Sequence, residues 1–246
     1  MSQKTLVVCG DSYMSPVLGF PGKHFSEILA SKLGYELIPL SRGGMSNGGI
    51  ALQLESAAEL KPDLVLVGTT YSPRIEYPIK NSTHDKIENS KSLLYRGSDS
   101  MSSQIENEYV GSEPILASTN INKLLVDEGL PYFPYFLRQV DDFEEKVNAI
   151  RKWFEYLYHD GWKTKQDQLM LYASLHKIDL LNINYIICFD YIELAPTCPW
   201  IKNNVSKEFM DRANTVSHNI QQEIPFHTTL EMQEEFADII INKIKG

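Results

Sequence analysis

The chain predicts an α/β fold built on a parallel sheet, and three observations carry that expectation. Short apolar runs rich in Val and Ile alternate with segments of helical period through residues 4–68. Each run stops at a Gly- or Ser-containing breaker, as strands buried on both faces do. The order strand, helix, strand, helix, strand is the one that right-handed βαβ crossovers produce.

The elements follow in order. Residues 4–9, K-T-L-V-V-C, form the first strand and end on Gly10-Asp11-Ser12. Phe25, Ile28, Leu29 and Leu33 share one face of a helix over residues 23–33, with Gly34 as its stop. Residues 36–40 make the second strand and run into Ser41-Arg42-Gly43-Gly44. Ile50, Leu54, Ala57 and Ala58 recur at helical spacing until Pro62, and residues 63–68 supply the third strand. From Tyr71 to about Asp141 the sequence turns polar and loses its period, which marks an insertion with local structure of its own, a lid or an oligomer contact. Helical spacing returns in two consecutive segments, Phe143 to Leu157 and Leu169 to Leu180. Residues 184–192 form a fourth strand. A last helix carries Leu230, Phe236, Ala237, Ile240, Ile241 and Ile244, with Thr228 and Glu231 at the spacing of a capping box. With no repeat and no linker, a single domain is expected.

Composition narrows the function. At 246 residues and 43% hydrophobic the chain can bury a real core, which excludes bulk disorder. A net charge of −9 offers no basic field for nucleic acid. Three cysteines, Cys9, Cys188 and Cys198, have no metal-ligand spacing and are too few to staple a secreted scaffold, so a reducing compartment is expected. No apolar run approaches a signal peptide or a membrane span, so no membrane partner and a cytoplasmic location are expected.

In an open parallel sheet, ligands bind beyond the carboxyl ends of the strands. Ser12, Gly43, Gly44, Asn47, Gly68, Thr69 and Thr70 fall there. A serine past the first strand can pass its proton to a histidine from another loop. Glycines after the second strand expose main-chain N–H groups, which a polar side chain after the third can join in holding an oxyanion.

This pattern resembles the SGNH (GDSL-like) hydrolase superfamily. The family's nucleophile block, G-D-S after the first strand, is matched by Gly10-Asp11-Ser12-Tyr13. Its oxyanion glycine, usually within an N-x-G run, falls at Ser41-Arg42-Gly43, and its histidine phrase before the last helix falls at His227 to Ala237. The resemblance covers the chain except the insertion. It implies a flavodoxin-like parallel sheet flanked by helices, of SGNH-hydrolase type, in one domain over residues 1–246 with an insertion at about 72–141 after the third strand. It further implies a serine esterase or acylhydrolase without metal or cofactor. Ser12 is then the nucleophile and His227 the base, with Gly43 and the Ser12 N–H holding the oxyanion.

The sequence departs from the family at two blocks. The third, usually G-x-N-D, reads Gly68-Thr69-Thr70-Tyr71, so the Thr70 hydroxyl or the Asn47 amide becomes the candidate side-chain donor. Asn47 is equally suited to cap the helix it begins. The family's acid position, three residues before His227, is Ile224, and Glu223 lies one residue earlier. A Ser–His dyad is therefore expected, with Glu223 the candidate acid. Arg74 is placed to meet an anionic substrate, although a solvated arginine suits the position as well. The expected substrate is a small ester, including an acyl group on a carbohydrate, and the insertion is a candidate homo-oligomer contact. The alternative is a catalytically degenerate SGNH-fold protein, a carbohydrate-binding or structural module such as a bacteriophage particle component.

Overall fold

The computed structural model describes residues 3–16, 21–42, 45–71, 74–79, 104–105, 115–120, 145, 148–149, 152–153, 156–217 and 228–245, with main chain alone for 74–79, 104–105, 115–120, 197, 199, 202 and 214–217. Along the chain these form β1 (Thr5–Cys9), α1 (Phe25–Leu33), β2 (Glu36–Pro39), α2 (Asn47–Leu60), β3 (Leu64–Gly68), β4 (Arg74–Ile79), β5 (Gln104–Ile105) and β6 (Ile115–Asn120). They continue with α3 (Asp160–Leu180), β7 (Asn184–Phe189), α4 (Leu194–Thr197), a 3₁₀ turn (Pro199–Asn204), α5 (Lys207–Ser217) and α6 (Leu230–Lys245).

The main sheet is parallel, in the order β2-β1-β3-β7. Val7 lies opposite Ile38 on one side and Val65 on the other. Both faces of the sheet are covered, which is why its strands read as continuous apolar runs instead of alternating. Val7, Cys9, Val65, Val67, Tyr185 and Ile187 pack with Leu54 and Ala57 of α2 and Leu171 and Leu175 of α3. Leu6, Val8, Leu66, Ile186 and Cys188 pack with Phe25 and Leu29 of α1, Phe209 of α5 and Phe236 and Ile240 of α6. Helices on both faces make this the expected doubly wound α/β arrangement. Because β1 leads to α1 on one face while β3 leads, by way of the insertion, to α3 on the other, the switch point of the sheet lies at the carboxyl ends of β1 and β3.

Several boundaries differ from the sequence reading. The insertion holds an antiparallel sheet, β4-β6-β5, with Arg74 opposite Asn120 and Ile79 opposite Ile115. Its strands escape a periodicity test because Pro78 interrupts one and polar Ser118, Thr119 and Asn120 end the other. α3 begins at Asp160, well before Leu169, its first half being polar. β7 ends at Phe189 because Asp190 turns the chain, its carboxylate accepting the N–H groups of Leu194 (2.8 Å) and Ala195 (3.2 Å). Thr228 does not cap α6. Thr229 Oγ1 accepts the Met232 N–H at 3.3 Å, while Thr228 Oγ1 accepts from the side chain of Gln233.

Candidate active site

The turn after β1 is shaped by what will not fit around it. Gly10 sits at φ +151°, and a Cβ there would lie 2.4 Å from Met14 Cγ. A Cβ on Gly68, at the end of β3, would meet the same atom at 2.4 Å. The fully buried Met14 thus crosses both strand ends, which is possible because both carry glycine. Gln53 of α2 holds the Gly10 main chain from the other side, accepting its N–H at 2.6 Å and donating to its carbonyl at 3.3 Å. Ser12, half-buried, is carried in this turn between β1 and α1.

Asp11, almost fully buried, anchors the turn. Its Oδ1 accepts the Tyr13 N–H at 3.0 Å and its Oδ2 accepts the Thr70 hydroxyl at 2.9 Å. The Thr70 hydroxyl proton is thus donated to a carboxylate. Asn47 is the first residue of α2, whose N-cap is Ser46, with Ser46 Oγ accepting the Gly49 N–H at 3.2 Å. The capping role expected as one option for Asn47 therefore falls to its neighbour. The Asn47 amide instead grips the main chain of Thr70, accepting its N–H at 2.8 Å and donating to its carbonyl at 2.8 Å, and also donates to Asp167 Oδ2 at 3.1 Å. Both Nδ2 hydrogens are spent on these acceptors.

His24 has a structural role. It caps α1 in a capping box with Glu27. Its Nδ1 accepts the Ser26 N–H at 3.3 Å, which puts the ring proton on Nε2, donated to the Tyr13 carbonyl at 3.2 Å. Burial pushes this imidazole down to about 4, so it is neutral at neutral pH. The same desolvation pushes the Cys9 and Cys188 thiols up, out of the reactive range.

Aromatic rings gather around Tyr13, the residue after Ser12. Tyr71, 54% exposed, stacks on Tyr191 at 4.4 Å between centroids, and Tyr13 lies 6.4 Å from Tyr191 and 5.4 Å from Phe189. These rings follow β1, β3 and β7, so they wall the carboxyl end of the sheet. Four aromatics of the insertion, Tyr132, Phe133, Tyr135 and Phe136, lie outside the described residues. So do Gly43, Glu223 and His227. Arg74 begins β4, but its side chain is outside the described set. Ser12, Asn47 and Thr70 are brought together at the carboxyl ends of β1 and β3 through Asp11 of the G-D-S block, and Gln53 and Asp167 join them from positions that no motif marked. Among the described residues no group of three or more His, Cys, Asp or Glu could hold a metal, and no helix is long and apolar enough to cross a membrane.

The sheet order and the turn after β1 define a doubly wound α/β protein with a serine at the sheet's switch point. No family model and no curated protein matches the chain. Among solved structures it is similar to TesA, with 14% identity, 98% of each chain covered and a TM-score of 0.48. It is also similar to the psychrotrophic esterase EstA from Pseudoalteromonas sp., with 14% identity, 99% of this chain and 97% of that one covered, and a TM-score of 0.47. For the acetyl xylan esterase AlAXEase the values are 12% identity, 98% and 99% coverage, and a TM-score of 0.33. Likeness at these values leaves the reaction to be argued from the residues themselves.

Proposed function

We propose that the chain is a serine ester hydrolase in which Ser12 is the nucleophile and His227 the general base. The observation that carries this reading is the setting of Ser12. It occupies the turn after β1 at the switch point, in a loop held by Asp11, Met14 and Gln53, where an α/β sheet presents its chemistry. In the proposed reaction Ser12 Oγ attacks the ester carbonyl and its proton passes to the His227 imidazole. The oxyanion collapses, expelling the alcohol, which takes the proton back. Water repeats the sequence on the acyl-serine and releases the acid.

Because Thr70 and Asn47 already donate to Asp11, Asp167 and the Thr70 carbonyl, the oxyanion is assigned to the main-chain N–H groups of Ser12 and Gly43. The substrate is a small ester with a ring or chain able to lie against Tyr71 and Tyr191, an acylated carbohydrate among them. Arg74 is kept as a contact for a substrate anion, and Glu223 as the acid if His227 has one. Hydrolysis of p-nitrophenyl acetate tests the assignments. Ser12→Ala and His227→Ala should each abolish turnover with nearly unchanged melting temperature, and Glu223→Gln should stay near wild type if the pair works as a dyad. Equal collapse of Glu223→Gln would make it the acid. Unchanged rates in Ser12→Ala and His227→Ala would favour the non-catalytic module.

A further inference from the structure

A run of buried polar contacts joins α3 to the nucleophile turn. Lys163 and Asp167, one helical turn apart on α3, form an ion pair with only 7% and 0% of their surfaces exposed. An apolar pair of similar volume would hold α3 against α2 as well or better, since burying two charges is costly. The pair is informative for what it touches. Asp167 Oδ1 faces Lys163 Nζ, while Oδ2 accepts from Asn47 Nδ2 at 3.1 Å. A carboxylate accepts and never donates, so it fixes which end of the Asn47 amide faces it. Nδ2 also donates to the Thr70 carbonyl at 2.8 Å, so Asp167 and that carbonyl together hold Nδ2 and leave Oδ1 to receive the Thr70 N–H at 2.8 Å. Thr70 then passes the constraint on, its hydroxyl donating to Asp11 Oδ2, while Asp11 Oδ1 takes the Tyr13 N–H. Asp11 and Tyr13 are the residues on either side of Ser12.

We propose that Asp167, charge-balanced by Lys163, is a positioning residue that sets the geometry of Ser12 through Asn47, Thr70 and Asp11. The proposal rests on Ser12 being the nucleophile. Asp167→Asn keeps size and shape but cannot serve two donors. Whichever way its amide turns, one N–H faces either Lys163 or Asn47, so either the lysine loses its carboxylate or Asn47 Nδ2 loses one of its two acceptors and the amide is held by Thr70 alone.

The test is the rate of labelling by a fluorophosphonate probe, with the stoichiometry of labelled sites counted alongside the rate constant per site. For Asp167→Asn the rate constant per site, and kcat on p-nitrophenyl acetate, should fall by about 10-fold, well within the roughly 10²-fold that a 1 Å misplacement of a reacting group can cost, with KM little changed. Thr70→Val, which breaks the same chain at its other end, should slow labelling too. The double variant should be no slower than the slower single one, because both act through one path. A role in packing alone would reduce the number of labelled sites and leave the rate constant per site at wild type, overturning the proposal. Losses that multiply in the double variant would overturn it as well. If Asp167→Asn leaves no folded protein to titrate, Lys163→Met combined with Asp167→Leu buries no unpaired charge, removes the same acceptor and should show the same slowing. Absence of label at Ser12 in the wild type would overturn the esterase reading and this inference together. A labelled Ser12 with wild-type rate constants in the variants would overturn the inference alone.

Discussion

Replacing Asn47 with alanine separates a bridge between helix and strand from a helix cap, because the two roles differ several-fold in energy. As a cap, Asn47 would contribute about 1 kcal/mol. As a bridge it serves both the N–H and the C=O of Thr70, a residue with no exposed surface. A buried main-chain group left without a partner costs about 1–3 kcal/mol, so losing both should cost about 4 kcal/mol. For a chain of this size each kcal/mol moves the melting temperature by about 2–4 °C. Asn47→Ala should therefore lower it by about 8–16 °C, and the cap variant Ser46→Ala by about 2–4 °C. Urea denaturation of the two variants, read by tryptophan fluorescence and by circular dichroism, measures the difference directly. If Asn47→Ala is no more destabilising than Ser46→Ala, the bridging account is wrong.

Other expectations follow from the same geometry. Burial holds His24 at about 4 against 6.5 for an unfolded histidine, so the unfolded chain takes a proton that the fold refuses. Stability should fall by about 3 kcal/mol as pH drops from 6.5 to 4. The advantage of wild type over His24→Asn should shrink by that amount over this window, and a pH-independent difference would show that the ring titrates normally. Gly68→Ala should destabilise by about 1–3 kcal/mol through its clash with Met14 and by less on a Met14→Ala background, whereas Gly10→Ala, strained also at φ +151°, should keep part of its cost there; melting temperatures of Met14→Ala, the two glycine variants and the two doubles decide this. Tyr71→Ala should raise KM for an aryl or glycosyl ester about fivefold with kcat unchanged, the loss of roughly 1 kcal/mol of ring contact; an unchanged KM would remove this wall from the binding site.

Much of the fold was legible because strands buried on both faces must be continuous apolar runs. β1, β3 and β7 are such runs, and Gly34 ends α1 at φ 68° as its position predicts. What escaped was placed by tertiary contact. The first half of α3 carries the polar residues Lys163, Asp167 and Gln168, whose burial no hydropathy pattern reveals. His24 caps α1 although histidine is not a usual capping residue, and the Glu27 three positions on was the available signal. α5 also went unread, its apolar face being only Phe209, Met210 and Ala213 amid charged neighbours. The place of Ser12 in the turn after β1 was legible from the apolar run that ends at Gly10-Asp11-Ser12. The duties of Thr70 and Asn47 were not, because their partners Asp11 and Asp167 lie 59 and 120 residues away in sequence.

The central claim is that Ser12 is an activated nucleophile, and a fluorophosphonate probe tests it most directly. Labelled protein should carry one adduct, mapped by peptide mass spectrometry to the segment containing Gly10-Asp11-Ser12-Tyr13, and Ser12→Ala should take up none. An adduct on another serine, or measurable ester hydrolysis with Ser12 unlabelled, would contradict the account.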